Sequence, residues 1–334
     1  MTGWISFLLT AATITTIFSI LTIGLNLHLG LTGLVNLGHV AFFAFGAFMT
    51  GLIMLPQPDE AIGHLQDTYL FGFNAPWPLA LLIAVVSTGA FAYLVGYPAL
   101  RAGLNEAYLG ITTFAVAEML LLTLSAEDRL VNGFNGLRGL DRPFANGVDV
   151  VVGIEWYPLF FLALSLAMMG GCWWFAVRLS EAPFGRVLRA IREDPIIPES
   201  LGHGTLSYRL KAFVIGAAMA GLAGSLFAVF LRSVAPQNFL PAQTFIVLAA
   251  VIVGGAGRIA GSVLGTVVVV GLIQQGTRFL PDIFEPAVMA SLRQIVIGLV
   301  FILVLRYRPE GILPERIRTF EDRVRPKTAT VETS

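Results

Sequence analysis

The stretch AFVIGAAMAGLAGSLFAVFL, residues 212–231, decides the class of fold. It is as long as the roughly 20 apolar residues that a helix needs to cross a bilayer, and it contains no Lys, Arg, Asp or Glu. Its centre, GAAMAGLAG at Gly216–Gly224, forms a small-residue face of the kind that lets membrane helices approach backbone to backbone. The rest of the chain is of the same character. Of 334 residues 56% are hydrophobic and 13% charged, with a mean hydropathy of +0.79, against roughly 25% charged in a soluble domain. The expected fold is an all-α polytopic transmembrane bundle.

Working outward, apolar stretches lie at Trp4–Leu27, Val40–Leu55, Trp77–Tyr97, Tyr108–Leu124 and Trp156–Val177, then at Ala212–Leu231, Thr244–Val253, Ile259–Gln274 and Ala287–Leu305. Val40–Leu55 and Thr244–Val253 are short and adjoin Gly-rich segments, which suits half-helices or re-entrant pieces. Eight to ten crossings are expected. Basic residues concentrate in the segment 178–211 and after Leu305, which the positive-inside rule places in the cytoplasm. The loop around 56–76, with Asp59, Glu60 and Asp67 but no Lys or Arg, and the net acidic segment 125–155 suit the outer side. Nine crossings with the N-terminus outside satisfy all four. Trp4, Trp77 and Trp156 stand at span edges, where amphipathic rings prefer the headgroup level. Met1–Leu27 has no basic residue before its apolar run and no small-residue cleavage site after it, so it is expected to stay as the first membrane helix.

Net charge is zero, from 21 basic and 21 acidic residues, and gives no sign of a nucleic-acid partner. The single cysteine, Cys172, excludes an internal disulfide and a Cys-based zinc cluster. Metal-spaced His/Glu pairs, G-x-S-x-G and Ser/His/Asp sets are also missing, so no enzyme and no cofactor is expected.

Polar residues inside apolar runs are the informative exceptions. In LNLHLGLTGLVNLGHVAFFAFGAFMTG, Leu25–Gly51, the run is interrupted by Asn26, His28, Asn36 and His39. At membrane depth such groups are costly unless paired or lining a cavity. They mark either a broken helix or pathway, or an interfacial loop with solvated side chains. Glu118 lies deep in the fourth stretch, and an acid there either lines a path or pairs with a buried donor. In APFGRVLRAIREDPIIPESLGHGTLSYRLK, Ala182–Lys211, the residues Arg186, Arg189 and Arg192 share one helical face and Val187, Leu188 and Ile191 another. That predicts a short amphipathic helix ended by Pro195 and Pro198, contacting either headgroups or a docked protein. GGAGRIAGSVLG, Gly254–Gly265, lacks the Gly-Lys-Ser/Thr of a phosphate loop and reads as close packing at a helix break. NGFNGLRGL, Asn132–Leu140, reads as turns.

Taken together, GLTGLVNLGHVAFFAFGAF (30–48), GRVLRAIREDPIIPESLG (185–202), KAFVIGAAMAGLAGSLFA (211–228) and VIVGGAGRIAGSVLG (251–265) resemble the permease subunits of branched-chain amino acid ABC transporters, of the LivM type. The resemblance covers about Thr22–Pro314. It implies a permease domain over 1–305 with a coupling loop at about 179–211, and a cytoplasmic tail at 306–334. It also implies a multi-pass protein of the cell inner membrane that works with a homologous second permease, two cytoplasmic ATPases and a periplasmic substrate-binding protein. On that likeness Arg186, Arg189, Arg192, Glu193, Glu199 and Gly202 belong to the ATPase-coupling segment, and Asn26, Asn36, His39 and Glu118 are candidates for the translocation path. Pro195 and Pro198 stand where the family commonly has small residues, so a shorter coupling helix is expected. Branched-chain or related amino acids are the implied substrate, with urea or short amides as the alternative within the family. An ion-coupled secondary transporter is the alternative outside it, and it would need more buried charge than Glu118 supplies.

Overall fold

The computed structural model describes residues 3–57, 69, 71–144, 156–276, 286–308 and 310–314. The acidic residues Asp59, Glu60 and Asp67 and the tail beyond 314 lie outside them. The bundle is built from α1 (Gly3–Asn26), α2 (His39–Met54), α3 (Trp77–Arg101) and α4 (Glu106–Ala126), then a single turn α5 (Asp128–Val131). After α6 (Tyr157–Glu181) come the short helices α7 (Pro183–Glu193) and α8 (Ile196–Ser200). The chain re-enters the bundle as α9 (Thr205–Leu231), α10 (Ala242–Gly254), α11 (Ile259–Thr266) and α12 (Pro286–Tyr307). Among the described residues six helical segments are long and apolar enough to cross a membrane, and three others are shorter apolar helices, among them α2.

Helices α1 and α9 form the centre. Helix α9 packs along α1, α2 and α3, and α1 also packs against α6, α10 and α11. The small residues of α9 explain how one helix can serve three neighbours. A Cβ at Gly24 would stand 2.5 Å from the Gly216 carbonyl oxygen, and one at Gly46 would stand 2.5 Å from the Gly221 Cα. At these crossings no side chain separates the two backbones, and dispersion contact over the full backbone surface takes the place of a hydrophobic drive that lipid cannot provide. The small-residue reading of Gly216–Gly224 therefore holds. Threonines within α1 cost little here, because their hydroxyls donate to carbonyls one turn back, Thr13 to Leu9 at 2.7 Å and Thr16 to Ala12 at 2.8 Å.

Two ends of the bundle are distinguishable. At one end NGFNGLRGL does more than turn. Asn132 takes a left-handed conformation (φ 63°), Gly133–Asn135 make a 3-10 turn, and Leu137–Arg138 (β1) pair antiparallel with Ser233–Val234 (β2), which follow α9. This two-residue ladder is an exception to the all-helical expectation and ties two loops of the same end together. The other end carries α7 and α8, the turn between α10 and α11, and residues 310–314. There Ile312 N–H donates to the Val253 carbonyl at 2.9 Å and Leu313 N–H to that of Gly254 at 3.0 Å. Helix α12 runs past 305 to Tyr307, and Ile312 and Leu313 beyond it lie against the end of α10.

Other expectations shift in detail. Trp4 and Trp156 are exposed, as interfacial anchors should be, but Trp77 is buried against Phe144, with ring centroids 5.9 Å apart. Pro195 does follow the end of α7. Pro198 instead occupies the first turn of α8, where a missing N–H goes unnoticed.

Candidate functional site

The candidate site begins where α1 loses its regular winding. After Asn26 the helix continues as a π-helical segment, Leu27–Leu31, and then residues 33–38, without regular secondary structure, turn back into the bundle before α2 starts at His39. The first turn of α2 lies beside Leu21 of α1 and Thr113 of α4. Those residues are about 10–15 Å along their helices from the α7 end, at 1.5 Å per residue. Of the two readings left open for Asn26–His39, the broken helix is the one observed.

A helix that begins inside a bundle exposes backbone N–H groups with no water to satisfy them. Here side chains supply the acceptors. Leu37 N–H donates to Thr113 Oγ1 at 3.1 Å, Gly38 N–H to Asn36 Oδ1 at 3.1 Å, and Val40 N–H to Thr244 Oγ1 at 3.3 Å. Thr244 sits in the first turn of α10, so the starts of α2 and α10 meet within the protein. Neither threonine was visible as a partner in the sequence, since each is an ordinary residue in an apolar run until the helices are placed side by side.

The histidines are locked by the same logic. His28 Nε2 lies 2.9 Å from the Phe213 carbonyl oxygen and His39 Nε2 3.1 Å from that of Leu21. A carbonyl only accepts, so both rings carry their proton on Nε2, and both Nδ1 atoms are acceptors. The Asn36 amide faces both, 3.1 Å from His28 Nδ1 and 3.5 Å from His39 Nδ1. Its two N–H groups are thereby used, and its oxygen serves Gly38. The rings meet edge to face at 5.2 Å and 89°, and His28 stacks on Phe213 at 4.9 Å. The network is neutral and closed. His28 and His39 are 0% exposed and Asn36 is 2% exposed.

Asn26 binds the opposite side of the break. Its Oδ1 accepts from Gly257 N–H at 2.9 Å and its Nδ2 reaches Ser262 Oγ at 3.5 Å, while Thr22 and Thr266 share a hydroxyl bond of 2.6 Å. The α10–α11 turn is thus held on the end of α1. That turn needs its glycines, Gly255 at φ 110° and Gly257 at φ 89°, as the helix-break reading of Gly254–Gly265 expects.

Helix α7 is attached to this assembly. Leu188 and Ile191 are buried, Arg189 donates to the Ser180 carbonyl at the end of α6, and Arg192 donates to the Gly30 carbonyl in the π-helical segment. Arg186 and Glu193 are exposed. The three arginines, read from spacing as one face, therefore divide: a step of three residues turns the helix by about 300°, so the row drifts round from solvent to protein. Glu199 accepts from the Thr205 hydroxyl at 2.6 Å, and Gly202, at φ 81°, shapes the turn into α9. Glu118 is not part of the break. It is half-buried on α4, one residue round from the buried Ala117. Among the described residues no group of three or more His, Cys, Asp or Glu is arranged to hold a metal ion.

Discontinuous helices meeting inside an apolar bundle, with an amphipathic basic helix fixed to the break, define a multi-pass membrane transport protein of the permease class. Residues 7–305 match the family model of the branched-chain amino acid transport system permease component. The chain is 32% identical over 324 residues to the high-affinity branched-chain amino acid transport system permease protein LivM of Salmonella typhimurium, covering 91% of this chain and 69% of that protein. It is 26% identical over 329 residues to a probable LivM of Methanocaldococcus jannaschii, covering 90% and 91%. To the LivH permease of Salmonella typhimurium it is 25% identical over 308 residues, covering 89% and 91%. No solved structure matches. The chain belongs to the branched-chain amino acid transport permease family.

Proposed function

We propose that the chain is a membrane-spanning subunit of an ABC importer in the cell inner membrane, carrying branched-chain or related amino acids inward on ATP hydrolysis in separate subunits. Its partners on this reading are a LivH-like second permease, two cytoplasmic ATPases and a periplasmic substrate-binding protein. The α7 end is the cytoplasmic end, in keeping with its basic residues. The observation that carries the reading is the ledge formed by α7 and α8. It sets the exposed Arg186 and Glu193 beside Ile196, Ile197 and Leu201, which are 71%, 58% and 74% exposed. Apolar side chains that far out, on a segment anchored by Arg189 and Arg192, have the form of a docking knob on a rigid stem.

Within this reading the ten candidate residues take different parts. Arg186 and Glu193 face the ATPase, Arg189 and Arg192 transmit its movement into the bundle, and Glu199 and Gly202 set the turn that leads into α9. Asn26, Asn36 and His39 hold the broken helix in shape, and Glu118, a half-exposed acid deep in α4, lines the path. Co-expression with the two ATPases tests the assembly. Wild type should retain them on purification, while Arg186→Glu combined with Ile197→Asp should lose them with the bundle intact. Retention by that variant would remove α7–α8 from the contact. Uptake of labelled leucine against labelled urea in proteoliposomes separates the amino-acid substrate from the amide alternative.

A further inference from the structure

Helix α3 packs along α9 and helix α6 along α1, which leaves a slot between α3 and α6 with α9 as its floor. Two cavities occupy it and meet at Ile215. The one nearer the α7 end has a volume of about 700 Å³ and is walled by Tyr97 of α3, Leu179 of α6, Phe184 of α7 and Leu210 of α9. The deeper one, about 400 Å³, runs past Cys172 and Gly171 of α6 to Leu222 of α9. Ligand sites typically hold roughly 300–1,000 Å³.

The chemistry of the slot is lopsided. The deep part is lined only by apolar side chains and Gly171, which rules it out as a path for a zwitterionic solute within this chain. At the shallow mouth stands Lys211, exposed and with no ion-pair partner among the described residues. Close by, Arg101 donates to the Tyr97 hydroxyl at 2.8 Å. The lining of the mouth therefore offers one cation, Lys211, and the Tyr97 phenol, with no carboxylate, and the Arg101 guanidinium stands one hydrogen bond behind that phenol. Lys211 and Leu222 are about 16 Å apart along α9, half of the roughly 30 Å hydrocarbon core. The mouth sits at the basic end of the bundle, which faces the anionic leaflet if the positive-inside orientation holds.

We propose that this slot is a binding site for one anionic phospholipid of the cytoplasmic leaflet, its phosphate at Lys211 and Arg101 and an acyl chain laid along α9 towards Leu222. A zwitterionic phospholipid fits the slot equally and brings the same phosphate, but its own ammonium is repelled by Lys211 and Arg101, so it gains less from them than a lipid of net negative charge. Because Phe184 belongs to the first turn of α7 and stacks on Tyr208 at 5.4 Å, a lipid seated there touches the stem of the docking ledge. The proposal does not depend on which solute is carried.

The test is native mass spectrometry of the full chain, equilibrated in detergent with equal amounts of phosphatidylglycerol and phosphatidylcholine. Wild type should retain phosphatidylglycerol in preference. Lys211→Gln and Arg101→Gln should each reduce that preference about fivefold, the share of one interfacial cation. Gly171→Phe fills the deep cavity at a position where a Cβ meets nothing within 4 Å, so the fold should tolerate it. That variant should lower retention of both lipids and leave the preference unchanged. Equal retention of the two lipids by wild type would overturn the headgroup assignment, and unchanged retention in Gly171→Phe would overturn the location. A Ser207→Cys variant that crosslinks to a second permease chain in the assembled transporter would show a protein interface in place of a lipid site.

Discussion

The guanidinium of Arg192 on α7 donates to the carbonyl oxygen of Gly30, in the segment where α1 is broken. This bond joins α7 to the interruption in the bundle's central helix. A charge-assisted bond of this kind contributes about 1.5–3 kcal/mol. If α7 transmits movement, Arg192→Ala should keep the ATPases bound but lower substrate uptake in proteoliposomes relative to ATP hydrolysed. Arg192→Lys should recover part of the loss, because it restores the charge without the planar fork. An uptake-to-hydrolysis ratio equal to wild type in Arg192→Ala would remove this bond from the coupling route.

Asn36 satisfies three partners at once, the Nδ1 atoms of His28 and His39 and the N–H of Gly38. Asn36→Leu keeps the volume and strands all three, at about 1–3 kcal/mol for each buried group left unpaired. The expected result is a clear fall in the apparent melting temperature in detergent. Adding His28→Phe, which removes one stranded acceptor and preserves the stack on Phe213, should cost less than the sum of the single changes. Strict additivity would mean that the two side chains do not share a network.

Glycines of α6 and α9 should respond in opposite directions. Gly221→Val drives a branched side chain into Thr88, whose Oγ1 lies 2.5 Å from the added Cβ, and overpacking of this sort costs about 1–3 kcal/mol or more. Gly170→Ala meets open space and gains about 0.8–1 kcal/mol of helix propensity. Thermal unfolding of the two variants side by side checks both signs.

Gly255→Ala combines two penalties. Its φ of 110° is a region that L-residues avoid, and a Cβ there would press on the Leu313 carbonyl. The variant should loosen residues 310–314 from the α10–α11 turn. Faster proteolytic removal of the C-terminal tail would report it, with Gly170→Ala as the unaffected control.

Much of this architecture was legible before any coordinates, for reasons that can be named. Apolar length marks spans because lipid leaves the backbone no alternative to helix. Val40–Leu55 was too short and too close to Gly-rich chain to be an ordinary crossing, and it became α2, which begins inside the bundle. The partners of the break were not legible. Thr113 and Thr244 lie far from Asn36 in the chain and differ in nothing from threonines that merely bond one turn back. The division of labour among Arg186, Arg189 and Arg192 was also hidden, since a three-residue period says which side chains are near one another but not which carbonyls end nearby. The β1–β2 pair escaped for a related reason, as two residues have no period.

The backbone contacts of α9 carry a mechanical consequence. Where Gly24 meets Gly216 and Gly46 meets Gly221, there are no side chains to change rotamer and absorb a shear. Helices α1, α2 and α9 are thereby fastened into one stiff block, whereas α3 meets α9 through the side chains of Thr88, Phe213 and Val214. Any hinge has to fall in chain outside those contacts. The irregular return at 33–38 is such a place, and it lies just beyond the carbonyl that Arg192 holds.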